Sequence, residues 1–146
     1  MTATAVEDWL LDTALAPAAD DDLLAPLYRA AARNELAVPF CAACALALEL
    51  DQEVCDGCGH SERDWRTVEP RGTVHAATLM HRREPGLVHG VVPYPIVDVE
   101  LSSGHRMVMT SVQSAETAPP IGAAVRIGFR HLGGVAIPAI DILEDQ

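Results

Sequence analysis

All four cysteines of this chain fall within eighteen residues, as Cys41-Ala-Ala-Cys44 and Cys55-Asp-Gly-Cys58 with ten residues between the pairs. Two CxxC pairs offer four thiolates, the number that a tetrahedral zinc ion takes. The two-residue spacers let each pair wrap one side of a metal, and the insert between them is long enough for a hairpin. Gly57 and Gly59 flank the last cysteine and can supply the positive φ of a tight knuckle. The first knuckle has Ala45 in place of such a glycine. Four thiolates close the coordination sphere, so the expected ion is structural, because a catalytic zinc keeps one position open. Iron in the same S4 geometry stays open beside zinc, as does an empty or degraded site. Two disulfides would need an oxidising compartment. The opening residues MTATAVEDWL have neither a basic region nor a long apolar run, so free thiols and a cytoplasmic location are expected.

A ribbon of about 25 residues cannot build a core large enough to fold alone. Metal binding, worth roughly 10–16 kcal/mol in small sites of this kind, supplies the missing stability. The 146-residue chain as a whole is 49% hydrophobic, which marks it as globular, and no apolar run approaches a membrane span. Net charge is −11 and every one of the ten basic residues is arginine. Such acidity opposes nucleic-acid binding, where neutralising phosphates supplies most of the non-specific affinity. The six aromatics, Trp9, Tyr28, Phe40, Trp65, Tyr94 and Phe129, are too scattered to form a stacking platform.

Residues 1–22 are expected to be a flexible N-terminal tail, with Trp9-Leu10-Leu11 either mobile or docked on a partner. A helix is expected over residues 23–35. Leu23, Leu24, Leu27, Tyr28 and Ala31 share a face, three aspartates precede it, Pro26 lies in its first turn and Asn34 is its left-handed C-cap. The zinc ribbon occupies residues 36–64, and the alternation Leu46, Leu48, Leu50 predicts a strand inside it. Residues 65–146 read as short strands. Thr67 to Met80 is one strand bent at Gly72, followed by a polar loop over 81–90. Val97, Val99 and Leu101 point inward before a Ser102-Ser103-Gly104 hairpin. Val125, Ile127 and Phe129 face one way with Arg126 and Arg130 on the other, before a Gly133-Gly134 hairpin. Five strands without an intervening helix predict a small Greek-key barrel of the OB type. The fold class is therefore mainly β: an N-terminal helix, a rubredoxin-like four-cysteine zinc ribbon and a five-stranded OB-fold barrel.

That order of parts resembles one family, the zinc-ribbon OB-fold proteins catalogued as domain of unknown function thirty-five and linked to acyl-CoA metabolism. The residues that carry the resemblance are Leu27 to Ala31 with Asn34-Glu35-Leu36, the cysteine quartet, Trp65 to Val68 and Gly72-Thr73-Val74. His81-Arg82, Val92-Pro93-Tyr94, Val97 to Leu101, and Gly122 with Val125 and the Phe129 strand complete the set. The resemblance implies a non-catalytic accessory subunit. Such proteins bind thiolase-superfamily enzymes, of lipid-transfer or ketoacyl-synthase type, and help hold acyl-CoA. Their partners perform condensation, acyl transfer or retro-aldol cleavage, for example of steroid side-chain CoA thioesters. A two-plus-two heterotetramer is the implied assembly, and some relatives pair instead with hot-dog-fold enoyl-CoA hydratases.

The residues themselves give no catalytic set. Zinc uses every cysteine, Cys41, Cys44, Cys55 and Cys58, and no elbow motif surrounds Ser102, Ser103, Ser111 or Ser114. His60, His75, His81, His89, His105 and His131 are scattered, and His60 stands where it could replace a thiolate. HExxH, P-loop and GxGxxG patterns are absent from the sequence. His81, Arg82 and Arg83 form the one polar cluster suited to phosphate oxygens, with a solvated loop as the plainer alternative. With the resemblance they become the expected CoA-binding residues. A nucleic-acid-binding OB module and a stand-alone zinc enzyme are the competing readings.

Overall fold

The computed structural model describes residues 8–89 and 93–142. Residues 1–7 of the expected tail, Gly90 of the expected loop, Val92 of the resemblance and residues 143–146 of the expected barrel domain lie outside that range. Helix α1 is Ala25–Ala31, shorter than the span of 23–35 expected for it. Pro26 sits in its first turn, the Asp22 carboxylate accepts a 2.8 Å bond from the Leu24 N–H, and Asn34 takes φ +59° to end it. Its buried face, Leu27, Ala30 and Ala31, packs on the strands that follow.

Strands β1 (Leu36–Cys41) and β2 (Arg63–Val68) form a two-stranded antiparallel sheet in register from Leu36↔Val68 to Cys41↔Arg63. The cysteine knuckles lie at its far end. The strand expected over 46–50 does not form. The outer edge of β1 makes one bridge, Phe40↔Ala47, with bonds Cys41 N–H to Leu46 O of 2.8 Å and Leu48 N–H to Pro39 O of 3.1 Å. Leu48 is buried and Leu46 is exposed, so the two do not share a face as period two requires.

The expected bent strand from Thr67 to Met80 is two strands in two sheets. Thr67 and Val68 end β2 in the ribbon, the chain turns at Glu69 and Pro70, and β3 (Arg71–Met80) begins the barrel. Proline lacks the N–H that a continuous ladder would need, so the chain changes sheets there. Just inside β3, a Cβ on Gly72 would lie 2.5 Å from Val99 Cγ1 and 2.6 Å from Glu100 O, which only glycine permits.

With β4 (Tyr94–Leu101), β5 (Arg106–Met109), β6 (Ala124–Leu132) and β7 (Val135–Ile142), the second sheet runs in the order β5-β4-β3-β6-β7, all neighbours antiparallel. The ends meet through a parallel bridge, Ser111↔Ile140, with Ile140 N–H to Thr110 O at 2.9 Å and Val112 N–H to Ile140 O at 2.8 Å. This nearly closes the sheet into a barrel, as expected for an OB fold. The hairpins at Ser102-Ser103-Gly104 and Gly133-Gly134 fall where they were predicted.

Val74, Val97, Val99, Leu101, Met107, Met109, Val125, Ile127 and Ile140 fill the barrel, and Leu27, Leu36 and Val38 extend the same cluster into the helix and the base of the ribbon. The knuckles have a core of their own made of Cys41, Leu48 and Cys55.

Two expectations change on the outside of the barrel. Arg130 was read as solvent-facing but is buried, and Leu132 beside it on the same strand face is 1% exposed. The segment expected to be a flexible tail supplies the partner of Arg130. From Asp8 onward it lies against the barrel, with Leu10 buried and a 3-10 turn at Thr13–Leu15. The reason is chemical: Arg130 cannot be buried unpaired, and Asp8 provides the carboxylate.

Candidate functional site

Both knuckles fold by the same local bonds. The Ala45 N–H donates to Cys41 O at 2.9 Å, and the Gly59 N–H donates to Cys55 O at 2.8 Å. Each turn then requires a left-handed residue, Ala45 at φ +64° and Gly59 at φ +80°. Alanine accepts at a cost what glycine accepts freely. The result brings the Sγ atoms of Cys41, Cys44, Cys55 and Cys58 within 4.8 Å of one another. Cys41 and Cys58 are 3.6 Å apart, and Cys44 and Cys55 are 3.7 Å apart. A tetrahedral zinc with bonds near 2.3 Å sets its sulfurs about 3.8 Å apart, so the four are positioned to hold such an ion.

The surroundings favour the thiolate at Cys41 and oppose it at Cys44 and Cys58. The N–H of Ala43 points at Cys41 Sγ at 3.4 Å, and the N–H of Gly57 points at Cys55 Sγ at 3.3 Å. The backbone N–H of Cys44 pulls the Cys41 pKa down to about 6, against the opposing effect of burial and with help from Ala43 and the neighbouring sulfurs. At Cys44 the N–H of Leu46 favours the thiolate, but Cys55, burial and the other sulfurs together push the pKa up to about 12. Four crowded sulfurs do not all ionise beside one another unless a cation joins them. Cys41 and Cys55 are buried while Cys44 and Cys58 reach the surface. His60 is exposed, lies outside this cluster, and contributes its carbonyl to the Cys55 N–H at 2.9 Å.

One histidine that sequence reasoning left among the scattered ones ties ribbon to barrel. His105, in the β4–β5 hairpin, is buried, with Nε2 2.7 Å from Pro39 O and its ring edge-on to Phe40. A carbonyl only accepts, so Nε2 carries a proton, while Nδ1 lies 2.8 Å from the Ser103 hydroxyl, which can bond it as donor or acceptor. A serine beside a histidine resembles a nucleophile with its base. Here both ring nitrogens are held in bonds that join the hairpin to β1, and the arrangement is structural.

His81, Arg82 and Arg83 leave the end of β3 together, all exposed, and are not part of the cysteine cluster. Arg82 pairs with the Glu84 carboxylate. Behind them residues 84–89 form a turn, with Leu87 N–H to Glu84 O at 3.1 Å and Val88 N–H to Glu84 O at 2.9 Å. That turn is bound to the N-terminal segment by the antiparallel bridge Leu11↔Val88 and by backbone bonds. Asp12 N–H donates to Leu87 O at 2.8 Å, and His89 N–H donates to Leu10 O at 2.6 Å.

The segment is anchored in turn by a bidentate ion pair. Arg130 Nε and Nη2 each lie 2.6 Å from an Asp8 oxygen, with both side chains almost fully buried. Burial alone would raise the Asp8 pKa, but the Arg130 guanidinium and the N–H groups of Leu11 and Leu10 outweigh it and hold the carboxyl below its usual range. Sequence reasoning missed this pair, because 122 residues separate its members and neither lies in a motif. A cleft of about 410 Å³ opens beside it between Trp9, Val112 and Phe129. Among the described residues no helix is long and apolar enough to cross a membrane.

Residues 65–130 match the family model described as the C-terminal OB-fold domain of ChsH2. A chain of the solved Ltp2–ChsH2(DUF35) aldolase superposes with a TM-score of 0.71 at 26% sequence identity, over 86% of this chain and 97% of that one. A probable enoyl-CoA hydratase alpha subunit of Thermomonospora curvata is 32% identical over 98 residues, 67% of this chain and 30% of the relative. This chain therefore spans less than a third of that relative's length.

Proposed function

On the premise that residues 65–130 belong to the ChsH2-type OB-fold family, we propose that this protein is the accessory subunit of a thiolase-like enzyme acting on acyl-CoA thioesters. One observation carries the reading. The likeness to the aldolase component covers 86% of this chain, more than the barrel alone, a scaffold shared by many functions that would by itself carry far less. The residues agree with a supporting role. The thiolates form a closed metal site, both nitrogens of His105 are engaged, and no serine, histidine and carboxylate are found together among the described residues. Structural zinc on Cys41, Cys44, Cys55 and Cys58 stiffens the ribbon, and acyl-CoA is the shared ligand of the assembled enzyme.

In this reading the loop after β3 meets the CoA phosphates. Glu84 already neutralises Arg82, so Arg83 supplies the larger share of the charge, with His81 beside it. The thiolase-like partner supplies the reacting groups, in a two-plus-two assembly. Co-expression with a thiolase-like enzyme, followed by sizing and an acyl-CoA cleavage or condensation assay, tests the reading. It fails if the partner is equally soluble and equally active without this chain. Changing Arg82 and Arg83 to Ala should raise KM for acyl-CoA and leave assembly intact.

A second reading has its own observation, the identity shared with a hydratase alpha subunit. It makes the partner a hot-dog-fold enoyl-CoA hydratase. Co-purification with that partner in place of the thiolase-like one would favour it. A nucleic-acid-binding module remains disfavoured by the net charge of −11.

A further inference from the structure

The geometry points to residues 8–16 as a strap that positions the loop after β3, with Asp8 and Arg130 as its anchor. This inference rests on the proposed CoA role of that loop for its function, but not for its structure. The strap touches several separate parts of the barrel. At one end Asp8 grips Arg130 of β6 through two 2.6 Å bonds. Trp9 then donates its indole N–H to Ser111 O at 3.0 Å and meets Tyr94 of β4 edge to face. Leu10 is 3% exposed. Beyond it, Leu10, Leu11 and Asp12 hold residues 87–89 as a strand would, and the Asp12 carboxylate adds a 3.2 Å contact to His89 Nε2. Ala16 closes the far end against the β6–β7 hairpin, where a Cβ on Gly133 would lie 2.8 Å from Ala16 Cβ.

Among the described residues the loop has little else to hold it. Its internal bonds within 84–89 are the two turn bonds to Glu84 O, and His81, Arg82 and Arg83 are exposed. An exposed loop that must present two adjacent guanidinium groups needs a fixed base, because ordering it at the moment of binding would reduce affinity. The strap provides that base before any ligand arrives. The anchor suits the task. A buried arginine requires its carboxylate, so Asp8 defines where the strap begins along the barrel, and the loop bonds follow two to four residues later. Asp8 and Arg130 are positioning residues: they reach the loop only through the strap.

The test is amide hydrogen exchange on full-length wild type, Asp8→Asn and Arg130→Gln, read at Asp12 and His89, whose N–H groups donate across the strap–loop junction. Val99 in β4 reports the barrel. The strap predicts exchange at Asp12 and His89 faster by at least about tenfold in both variants, with Val99 unchanged. Unchanged exchange at Asp12 and His89 overturns the proposal, and so does loss of protection at Val99 in step with them. Trp9→Ala, which weakens the strap without leaving a buried charge, should give the same pattern. Kinetics of the assembled complex then separate the strap from the CoA reading. A several-fold rise in KM for acyl-CoA with kcat retained supports the functional link. Unchanged KM with a released loop leaves the strap standing and removes the CoA role of Arg82 and Arg83.

Discussion

Ribbon and barrel reach the same end, a fixed chain path, by opposite means. The barrel buries nine apolar side chains of its own in one cluster, with three more contributed by the helix and ribbon base. The knuckles bury one leucine between two cysteines. A cluster of three side chains cannot offset the backbone entropy of some twenty residues at about 1–2 kcal/mol each. The barrel is therefore specified by apolar pattern, whereas the knuckles rest on four cysteines positioned to bind a metal. The base of the ribbon belongs energetically to the barrel, since Leu36 and Val38 lie in the barrel cluster. The line between the two regimes runs along β1, near Cys41, and not at the junction of helix and ribbon.

The largest expected effect is removal of the metal, by chelation or by Cys55→Ser. Loss of an ion worth roughly 10–16 kcal/mol should expose the amides of residues 41–60 to exchange while β4 and β6 stay protected. One zinc per chain should be found before treatment. Persistent protection of the knuckles without metal, or stoichiometric iron, would break the contrast.

Ile140→Ala sharpens it from the other side. A fully buried isoleucine at the barrel closure should cost about 2–5 kcal/mol in denaturant, by the same amount with metal as without. A cost that depends on metal would mean the two cores are one.

His105→Ala addresses the tie between them. It removes the bond to Pro39 O, which keeps only the Leu48 N–H, and the bond to Ser103, and should cost about 1–3 kcal/mol. Ribbon and barrel should then melt in two transitions where wild type shows one. A single unshifted transition would assign the coupling elsewhere.

The smallest effect compares the knuckles with each other. Ala45→Gly removes a strained left-handed alanine and should stabilise the holo-protein by about 1 kcal/mol, seen as slower loss of zinc to a competing chelator. Gly59→Ala should do the reverse. Equal behaviour of the two variants would show that the backbone strain is not felt at the metal.

Much of this was legible along the chain because its causes are local. The cysteine spacing, the Asn34 cap, the Gly133-Gly134 hairpin and the inward row Val97, Val99, Leu101 each depend on residues a few positions apart. The misreadings have the opposite character. Leu46, Leu48 and Leu50 alternate like a strand, but the edge of β1 beside them offers two bonds, and pattern cannot supply a partner. Arg130 fits an alternating solvent face until Asp8 arrives from the other end of the chain.

Local chemistry by itself therefore determined the cysteine cluster positioned to bind a metal, the turns and the class of barrel, since cysteine spacing, left-handed residues and period-two burial act within a few residues. Tertiary structure alone decided which outer face of the barrel is covered, how the ribbon is joined to it through His105, and that the first described residues hold the loop after β3. Each of these is a contact between residues 66 or more positions apart. Their energy comes from pairing buried polar groups and bridging strand edges. A sequence shows which groups it has for such contacts; only the folded chain shows which of them meet.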